Sequence, residues 1–282
     1  MDKKELHSFM EELKKVFDVV RLIDVNEHHV FHLDQHKDNA CCFGVWNKNE
    51  RCTNCISART MIRKERMTKF EFIDDDAYLV MTQYIELDGK PLILEMVAKI
   101  DDNVLFGAFS QHEFAHAIEH FNRKLYRDTL TGAYNRQYYN DQMKGFTNIN
   151  GFAVLDVDDF KNINDTFGHH AGDQALRAIV STTLGQMRKS DRMIRYGGDE
   201  FLLLFQDIEK DAFESTLHKI QDAICQIKIQ DYPDLHISVS IGGIFGKGSL
   251  DKMLLEADKV LYEAKKEKPQ ILVFPFTEQV IK

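Results

Sequence analysis

The chain has 282 residues, of which 44% are hydrophobic, so it can form one large or two modest domains with buried cores. Acidic residues outnumber basic ones by 45 to 36, which argues against proteins that hold nucleic acid or an anionic membrane surface. No apolar run approaches the ~20 residues of a membrane-spanning helix, and the first residues do not read as a signal peptide. We therefore expect a cytoplasmic protein.

The first hundred residues predict a small sensor domain. An amphipathic helix is predicted over 4–20, because its apolar residues recur with helical spacing. A charged helix is predicted over 57–68. Strands are predicted at 19–25, 29–33, 69–73, 78–87 and 91–99. Two strands, small helices and three antiparallel strands follow the element order of PAS-type sensor domains, which residues 1–103 resemble.

Four of the five cysteines lie within fifteen residues of one another, as Cys41, Cys42, Cys52 and Cys55. This density in a cytoplasmic chain favours a metal or redox site over structural disulfides. Zinc, an iron–sulfur cluster and a dithiol switch all fit, with Cys41 or His36 as the fourth group beside the other three cysteines. The alternative is a set of buried, inert thiols, since free cysteine packs as a small hydrophobic residue.

Residues 104–127 are predicted to form a connecting helix. Phe114, Ile118, Phe121 and Leu125 are spaced by four, three and four residues, which places them on one helical stripe. Such a helix either packs on its own domain or pairs with a second copy and passes movements between domains. We favour the second interpretation and therefore expect a homodimer.

From residue 151 onward, strands alternate with helices. Helices are predicted at 173–188, 210–227 and 250–268. Strands are predicted at 152–157, 193–196, 201–205, 236–245 and 271–274. This order predicts an α/β or α+β domain whose sheet carries helices on its faces.

Acidic residues stand at the ends of these strands. The apolar run 152–155 predicts a strand buried on both faces, and Asp156 follows it at once. Two apolar segments flank Gly197 and Gly198, which predicts a β-hairpin whose turn carries Asp199 and Glu200. If the strands are neighbours, three carboxylates converge. Such an oxygen-rich group suits Mg²⁺.

Three stretches, Asp128–Arg136 (DTLTGAYNR), Asp156–Asp173 (DVDDFKNINDTFGHHAGD) and Arg195–Phe201 (RYGGDEF), closely resemble the GGDEF family of diguanylate cyclases in order and spacing. The resemblance runs from about residue 126 to the end of the chain, and we assign 128–282 to this domain. It implies a palm-like, mainly antiparallel sheet. It also implies a homodimer that joins two GTP molecules into cyclic di-GMP and releases two pyrophosphates.

The resemblance implies the metal ligands of the site. Asp156, the carbonyl of Val157 and Asp199 would hold Mg²⁺ or Mn²⁺, and Glu200 would support the same metal site. Asp199 or Glu200 would also assist removal of a proton from the attacking hydroxyl.

The resemblance also implies the groups that bind substrate. Asn164 and Asp173 match the positions that read the guanine edge, and His169 matches a substrate contact. Lys161 and Lys265 are candidate phosphate contacts, because an ammonium group suits phosphate.

Two further features concern affinity. After Lys265 the family usually continues to Gly-Arg-Asn, whereas this chain has Lys268-Pro269-Gln270, so weaker substrate binding is expected. Arg188 and Asp191 form an RxxD pattern just before the hairpin, where the family has its product-inhibition motif. The guanidinium of this motif can grip cyclic di-GMP.

Two alternatives to a diguanylate cyclase remain. The first is a receptor that binds GTP or cyclic di-GMP without turnover, which the missing Gly-Arg-Asn favours and the intact carboxylates oppose. The second is an enzyme that makes a mixed cyclic dinucleotide. Asp173 opposes this alternative because its carboxylate favours guanine.

Overall fold

The computed structural model describes residues 2–33, 40–48, 52, 54–73, 76–100, 125–144 and 148–277. The chain divides into two compact units: Met1–Leu125 with Asp141–Gly145, and Tyr126–Asn140 with Phe146–Lys282. The predicted connecting helix lies outside the described residues except for its last three positions, and His36 also lies outside them. Within the described part of the chain, none of the helices is long and apolar enough to cross a membrane.

The first unit contains an antiparallel sheet of five strands in the order β2-β1-β5-β4-β3. The strands are β1 (Val19–Asp24), β2 (His29–Phe31), β3 (Met67–Ile73), β4 (Asp76–Leu87) and β5 (Lys90–Ile100). Every predicted strand of this unit is present, and their ends differ from the prediction by at most two residues. A sheet of this kind suits a PAS-like domain, but the PAS assignment stays a prediction.

The helices of the first unit are shorter than predicted. Helix α1 (Lys3–Leu13) starts at a capping box. The Asp2 side chain accepts from the backbone N–H of Glu5, and the Glu5 side chain accepts from the backbone N–H of Asp2. Helix α2 (Ile56–Arg63) ends five residues early. Lys64 adopts the left-handed conformation, with φ of 56°, and so closes the helix before β3 begins.

The second unit contains a mixed sheet of six strands in the order β11-β10-β7-β9-β8-β6. The strands are β6 (Tyr134–Asn135), β7 (Ile149–Val157), β8 (Arg192–Arg195), β9 (Glu200–Gln206), β10 (Val239–Phe245) and β11 (Ile271–Pro275). The two outer pairs, β10–β11 and β6–β8, are parallel. The three inner pairs are antiparallel, as expected for the palm-like sheet.

Helices connect these strands. They are α3 (Arg136–Tyr138), α4 (Phe160–Phe167), α5 (His169–Gln186), α6 (Lys210–Cys225) and α7 (Leu250–Ala264). A single turn of 3₁₀ helix, Lys265–Glu267, follows α7. The three long helices were predicted, although α5 begins four residues earlier and α7 ends four residues earlier than expected. Helices α3 and α4 and the short strand β6 were not predicted.

The central strand β7 is buried on both faces, as its apolar run predicted. Ala153 and Leu155 belong to a cluster that includes Phe213 and Leu217 of α6. Phe152 and Val154 alternate with them and are also fully buried. Since successive side chains of a strand point to opposite faces, the sheet is covered on both sides, and polar groups can collect only at its edges and strand ends.

Candidate active site

The β8–β9 hairpin and the end of β7 meet side by side. Asp156 of β7 lies directly opposite Glu200 of β9 in the antiparallel register. The turn before Glu200 is closed by the backbone of Tyr196, whose N–H donates to the Glu200 carbonyl over 2.9 Å. One residue further along β7, the N–H of Val157 donates to the carbonyl of Asp199 over 3.2 Å. The predicted hairpin is therefore confirmed, and it brings the acidic turn beside the acidic end of β7.

The carboxylates of this group disfavour one another's ionisation. Burial raises the pKa of Asp156 above its ordinary value, and the charges of Asp199 and Asp158 raise it further, while Lys265 opposes the rise. Burial also raises the pKa of Glu200, with added contributions from Asp258 and Asp156. Crowded, partly buried carboxylates with raised pKa values are stabilised by a cation, which identifies this strand end as a candidate functional site.

Lys265 supplies one positive charge to this group. Its Nζ lies 2.8 Å from Oδ1 of Asp156, and both side chains are partly exposed. The residue follows the end of α7 at Ala264, and α7 packs closely on β10 at Gly242, where a Cβ would collide with the backbone of Leu261. Close helix–strand packing therefore places Lys265 beside the carboxylates. Sequence reasoning proposed Lys265 as a phosphate contact but did not foresee that Asp156 is its partner.

The donor set at the end of β7 fits Mg²⁺ or Mn²⁺. Among the described residues, no three His, Cys, Asp or Glu side chains form a ready metal cage. Mg²⁺ does not require one, since it usually binds one or two carboxylates and completes its shell with water and substrate phosphates. Asp156, Asp199 and Glu200 offer carboxylate oxygens and Val157 offers a carbonyl, so these four residues would hold the ion.

The predicted guanine-reading residues lie around the junction of α4 and α5. Asn164 of α4 contacts Gly172 of α5 so closely that a Cβ on Gly172 would collide with Oδ1 of Asn164. Asp173 is the next residue, and both Asn164 and Asp173 are half-buried. Gly168 joins the two helices with φ of 85°, a conformation that favours glycine. The junction thus places Asn164 against Gly172, the residue that precedes Asp173.

The other substrate candidates are exposed. Lys161 lies on α4 and His169 is the first residue of α5. Lys268, which stands where the family has Gly-Arg-Asn, places its Nζ 2.9 Å from Oδ1 of Asp159 at the start of α4. A cation therefore occurs near the β7–α4 turn even though the arginine is missing.

The RxxD pair lies at the opposite end of the hairpin strands from the acidic turn. The guanidinium of Arg188 donates to both carboxylate oxygens of Asp191, over 3.0 and 2.7 Å, and to the carbonyl of Gln206 over 2.8 Å. The Asp191 side chain is 1% exposed, whereas that of Arg188 is 49% exposed. Asp191 thus holds the arginine in place while part of the guanidinium faces solvent.

Sequence reasoning missed two polar contacts near this site. Arg195 donates to Oδ1 of Asp128 over 2.9 Å and so ties the start of this unit to the hairpin. Asp158 accepts hydrogen bonds from Ser238 and Ser240 of the neighbouring chain segment. In the sequence, only their opposite charges point to the contact between Arg195 and Asp128. The contacts of Asp158 could be predicted only once the pairing of β7 with β10 is known.

The cysteine segment of the first unit is also partly buried. Burial raises the pKa of the Cys42 thiol, and the nearby Cys55 and Cys52 add to the rise. Burial likewise raises the pKa of Cys52, against the opposing charge of Lys69. The described residues of this segment contain no group of three metal-ligating side chains arranged around one point. The zinc or iron–sulfur prediction therefore has no support here, and His36 lies outside the described residues.

The backbone near these cysteines is held by a buried ion pair. Arg21 of β1 donates from Nε to Oε1 of Glu95 on β5 over 2.8 Å, and both residues are buried. The same guanidinium donates from Nη2 to the carbonyl of Cys42 over 2.8 Å. Ser57 donates to the other oxygen of Glu95 over 3.2 Å. The sheet thus anchors the cysteine segment at Cys42.

Comparison with known sequences identifies the family of the second unit. The sequence profile described as diguanylate cyclase, GGDEF domain, matches residues 125–270, just over half of the chain. Diguanylate cyclase DgcM of Escherichia coli is 30% identical over 190 residues, which are 65% of this chain and 44% of DgcM. Diguanylate cyclase DosC of the same organism is 31% identical over 166 residues, 57% of this chain and 35% of DosC. The chain thus spans less than half the length of these curated relatives.

Two solved structures are similar to the same part of the chain. The coiled coil and GGDEF domain of DgcB from Caulobacter crescentus, in complex with c-di-GMP, gives a TM-score of 0.54 at 27% identity. That comparison covers 58% of this chain and 93% of the DgcB chain. Diguanylate cyclase SiaD from Pseudomonas aeruginosa, with its activator SiaC, gives 0.50 at 26% identity, covering 58% of this chain and 67% of SiaD. The chain belongs to the GGDEF family of diguanylate cyclase domains.

Proposed function

We propose that the protein is a diguanylate cyclase that joins two molecules of GTP into cyclic di-GMP. The observation that carries this proposal is the antiparallel register of Asp156 against Glu200, with Asp199 in the adjoining turn. This register places carboxylates from two strands at one sheet end, and their raised pKa values favour a bound cation. The GGDEF membership of the second unit supports the same activity.

The proposed reaction joins the two nucleotides twice. The 3′-oxygen of one GTP forms a bond to the α-phosphorus of the other. The bond from that phosphorus to the oxygen bridging to the β-phosphate breaks, and pyrophosphate leaves with the electron pair. The same exchange in the opposite sense closes the ring. Because each half-site holds one GTP, the active form is a homodimer.

The carboxylates of the site divide two tasks. Asp156, Asp199, Glu200 and the Val157 carbonyl would hold Mg²⁺ or Mn²⁺, which would neutralise phosphate charge and make the 3′-hydroxyl more acidic. Asp199 or Glu200 accepts the proton that leaves this hydroxyl. Glu200 lies opposite Asp156 in the strand register, so it belongs to the same group of carboxylates as the other proposed metal ligands.

The substrate is held by groups around the carboxylates. Asp173 accepts from N1–H and N2–H₂ of guanine, which are donors that adenine lacks, and Asn164 lies beside it. Lys161, Lys265 and His169 contact the ribose–phosphate part. Lys265 already lies within hydrogen-bonding distance of Asp156, so a phosphate bound there meets both the metal ligands and an ammonium group.

The first unit would regulate this activity as a PAS-like cytoplasmic sensor, and the RxxD pair would inhibit it when product accumulates. Cys42, Cys52 and Cys55 would respond to a metal or to oxidation, and the Arg21 anchor would connect their segment to the sheet. Two measurements distinguish a response to metal from a response to oxidation. They are the metal content of the purified chain and the cyclase rate after peroxide or dithiothreitol treatment. The Cys52→Ser/Cys55→Ser variant is the control for both.

A receptor without turnover is the second candidate function. The observation that favours it is the stretch Lys268-Pro269-Gln270, which stands in place of the family's Gly-Arg-Asn and so puts Pro269 at the position of the arginine. Lys268 is paired with Asp159. Both functions predict nucleotide binding, so binding alone does not separate them.

Incubation of the purified chain with GTP and Mg²⁺, with products resolved by mass, tests the proposal. We expect cyclic di-GMP and two pyrophosphates per molecule formed, and no product from the Glu200→Gln variant. Binding of cyclic di-GMP by a chain that makes no product would instead establish the receptor. A mixed cyclic dinucleotide formed from GTP and ATP together would establish an enzyme of different specificity.

A further inference from the structure

Asp158 makes an unusual set of contacts directly after β7. The residue is 6% exposed. Its Oδ1 accepts from the hydroxyl of Ser240 over 2.7 Å, and its Oδ2 accepts from the hydroxyl of Ser238 over 2.9 Å. Its backbone N–H donates to the carbonyl of Ser238 over 3.0 Å. Two hydrogen bonds to the buried carboxylate and one from the backbone thus tie Asp158 to Ser240 of β10 and to Ser238 just before it.

The fastened segment contains two of the proposed metal ligands. Ser240, which is fully buried, lies opposite Asp156 in the register of β10 against β7, and Val157 is the next residue along β7. One residue beyond Asp158 the chain turns, because Asp159 adopts the left-handed conformation with φ of 51°. The bonds at Asp158 therefore hold the strand in place at the last position before this turn.

Among the described residues, no lysine or arginine lies within ion-pair distance of the Asp158 carboxylate, and Lys268 acts on it only from farther away. Within the described residues, the lysines near this turn pair with its neighbours: Lys265 with Asp156 and Lys268 with Asp159. The Asp158 carboxylate accepts its hydrogen bonds from the two serine hydroxyls. A buried carboxylate without an ionic partner is costly, and a nearby cation would offset part of that cost.

We propose that Asp158 is a positioning residue for the cation site, one that orders Asp156 and Val157 and adds negative charge beside them without binding the ion itself. The inference rests on the proposed function, since those ligands are the ones assigned above. It has two separable parts. Ser238 and Ser240 provide the ordering, and the carboxylate provides the charge.

Two substitutions separate these parts. Asp158→Asn removes the charge but keeps a side chain that can bond to both hydroxyls, since a serine can also accept. Ser238→Ala keeps the charge but removes one bond, and Ser238→Thr restores the hydroxyl. Asp234→Asn is the matched control, because this exposed acid precedes Ser238 by four residues and its substitution changes the net charge equally.

The test measures Mn²⁺ binding by the full chain, in the presence of a GTP analogue with a methylene group between the α- and β-phosphates. The paramagnetic resonance signal of free Mn²⁺ reports the affinity without any turnover. Loss of a group that orients metal ligands typically costs roughly 10–100-fold in affinity. We expect a loss of roughly tenfold in Ser238→Ala, which removes part of the ordering, and recovery in Ser238→Thr. We expect weaker binding in Asp158→Asn, which loses the charge, and no change in Asp234→Asn.

The outcomes separate the inference from the proposed function. If the unsubstituted chain binds no Mn²⁺ with the analogue, the proposed metal site itself fails. If it binds Mn²⁺ and the Asp158→Asn chain, melting at the same temperature, binds equally well, only the role of Asp158 is refuted. If Asp158→Asn does not fold, the Ser238 pair decides, and equal affinity in Ser238→Ala and Ser238→Thr overturns the inference.

Discussion

The buried charges around Arg21 in the first unit are paired, whereas those at the end of β7 in the second unit are not fully paired. In the first unit, Arg21 and Glu95 bond to each other across neighbouring strands, and the backbone of Cys42 and the hydroxyl of Ser57 satisfy more of their polar atoms. Nearby, Glu71 accepts from two lysines at once. Such a network is complete without any ligand, so its role is to hold a shape.

At the end of β7 in the second unit, by contrast, carboxylates outnumber the basic side chains that pair with them. Asp156 lies opposite Glu200, burial and mutual repulsion raise both pKa values, and Lys265 is the cation that pairs with Asp156. Carboxylates that repel one another thus mark a site for a charged ligand, whereas paired charges stabilise the local structure. Substitutions in these two groups of residues should therefore have opposite effects on stability.

The largest effect is expected at the acidic turn. Asp199→Ala and Glu200→Ala should each lower cyclic di-GMP synthesis by at least about 100-fold, since proton transfer alone contributes roughly 10²–10⁴-fold in enzymes. Pyrophosphate release measures the rate, and Asp234→Ala should leave it unchanged. Near-normal turnover by both variants would show that this turn is not part of the active site.

The stability of the Glu200 variant sharpens the comparison. A carboxyl whose folded pKa lies above its unfolded pKa destabilises the fold when it ionises. The penalty is absent at pH values below the ordinary carboxyl pKa, and it is fully present above the raised one. Glu200→Gln should therefore melt at the same temperature as the parent chain, or higher, at neutral pH. A clearly lower melting temperature would mean that Glu200 is part of an anchor.

The next largest effect is expected at the buried ion pair of the first unit. Glu95→Gln leaves Arg21 with an uncompensated buried charge, a change that typically costs about 3–5 kcal/mol of unfolding free energy. Trp46, the one tryptophan of the chain, has its ring centroid 5.9 Å from Cζ of Arg21, so its fluorescence during urea titration reports this unit. An unchanged urea midpoint in Glu95→Gln would show that the ion pair between Arg21 and Glu95 does not stabilise this unit.

A surface pair gives the control for that experiment. Glu12, in the last turn of α1, pairs with Lys15 just beyond the end of the helix, and the Glu12 side chain is 68% exposed. Exposed pairs contribute roughly 0–1 kcal/mol, so Glu12→Gln should leave the urea midpoint almost unchanged. The difference between the two variants measures what burial adds to a charge pair.

A smaller effect is expected at the α4–α5 junction. A methyl group on Gly172 would displace Oδ1 of Asn164, so Gly172→Ala should weaken guanine recognition. One good base contact is worth about 1–3 kcal/mol, and we expect KM for GTP to rise roughly tenfold. Gly185 of the same helix has nothing within 4 Å of an added Cβ, and Gly185→Ala is the control. An equal KM in both variants would place the guanine elsewhere.

Local sequence patterns predicted most of the elements and the acidic group. The hairpin followed from paired glycines between apolar segments, and β7 followed from its apolar run. Helix α4 was missed because polar and acidic residues crowd its sequence. Helix α2 was predicted too long because charged residues continue past Arg63. The left-handed conformation of Lys64 that stops it leaves no mark on composition.

Contacts between distant residues could not be predicted. Asp158 and Ser240 are 82 positions apart, and Lys268 and Asp159 are 109 positions apart. Each contact depends on strand order, since β10 must lie beside β7 before the first pair can form. No periodicity in the sequence specifies that neighbour. The proposed metal ligands could be identified because each lies within one of two recognisable short motifs, whereas Ser238 and Ser240, which are proposed to help orient them, lie outside both motifs.

The smallest effect on initial rate is expected at the RxxD pair. Arg188 is held at Nε and Nη2 by Asp191 and by the carbonyl of Gln206, a geometry that leaves Nη1 for an outside ligand. Arg188→Ala should relieve product inhibition without changing the initial rate, because the pair lies at the far end of the hairpin from the acidic turn. Arg188→Lys should relieve it too, since an ammonium group keeps the charge but loses the planar fork. Progress curves started with and without added cyclic di-GMP measure the effect. If all three proteins reach the same plateau, this pair only caps the end of β9, and the second unit would then contain an anchor of the kind that the first unit builds from Arg21 and Glu95.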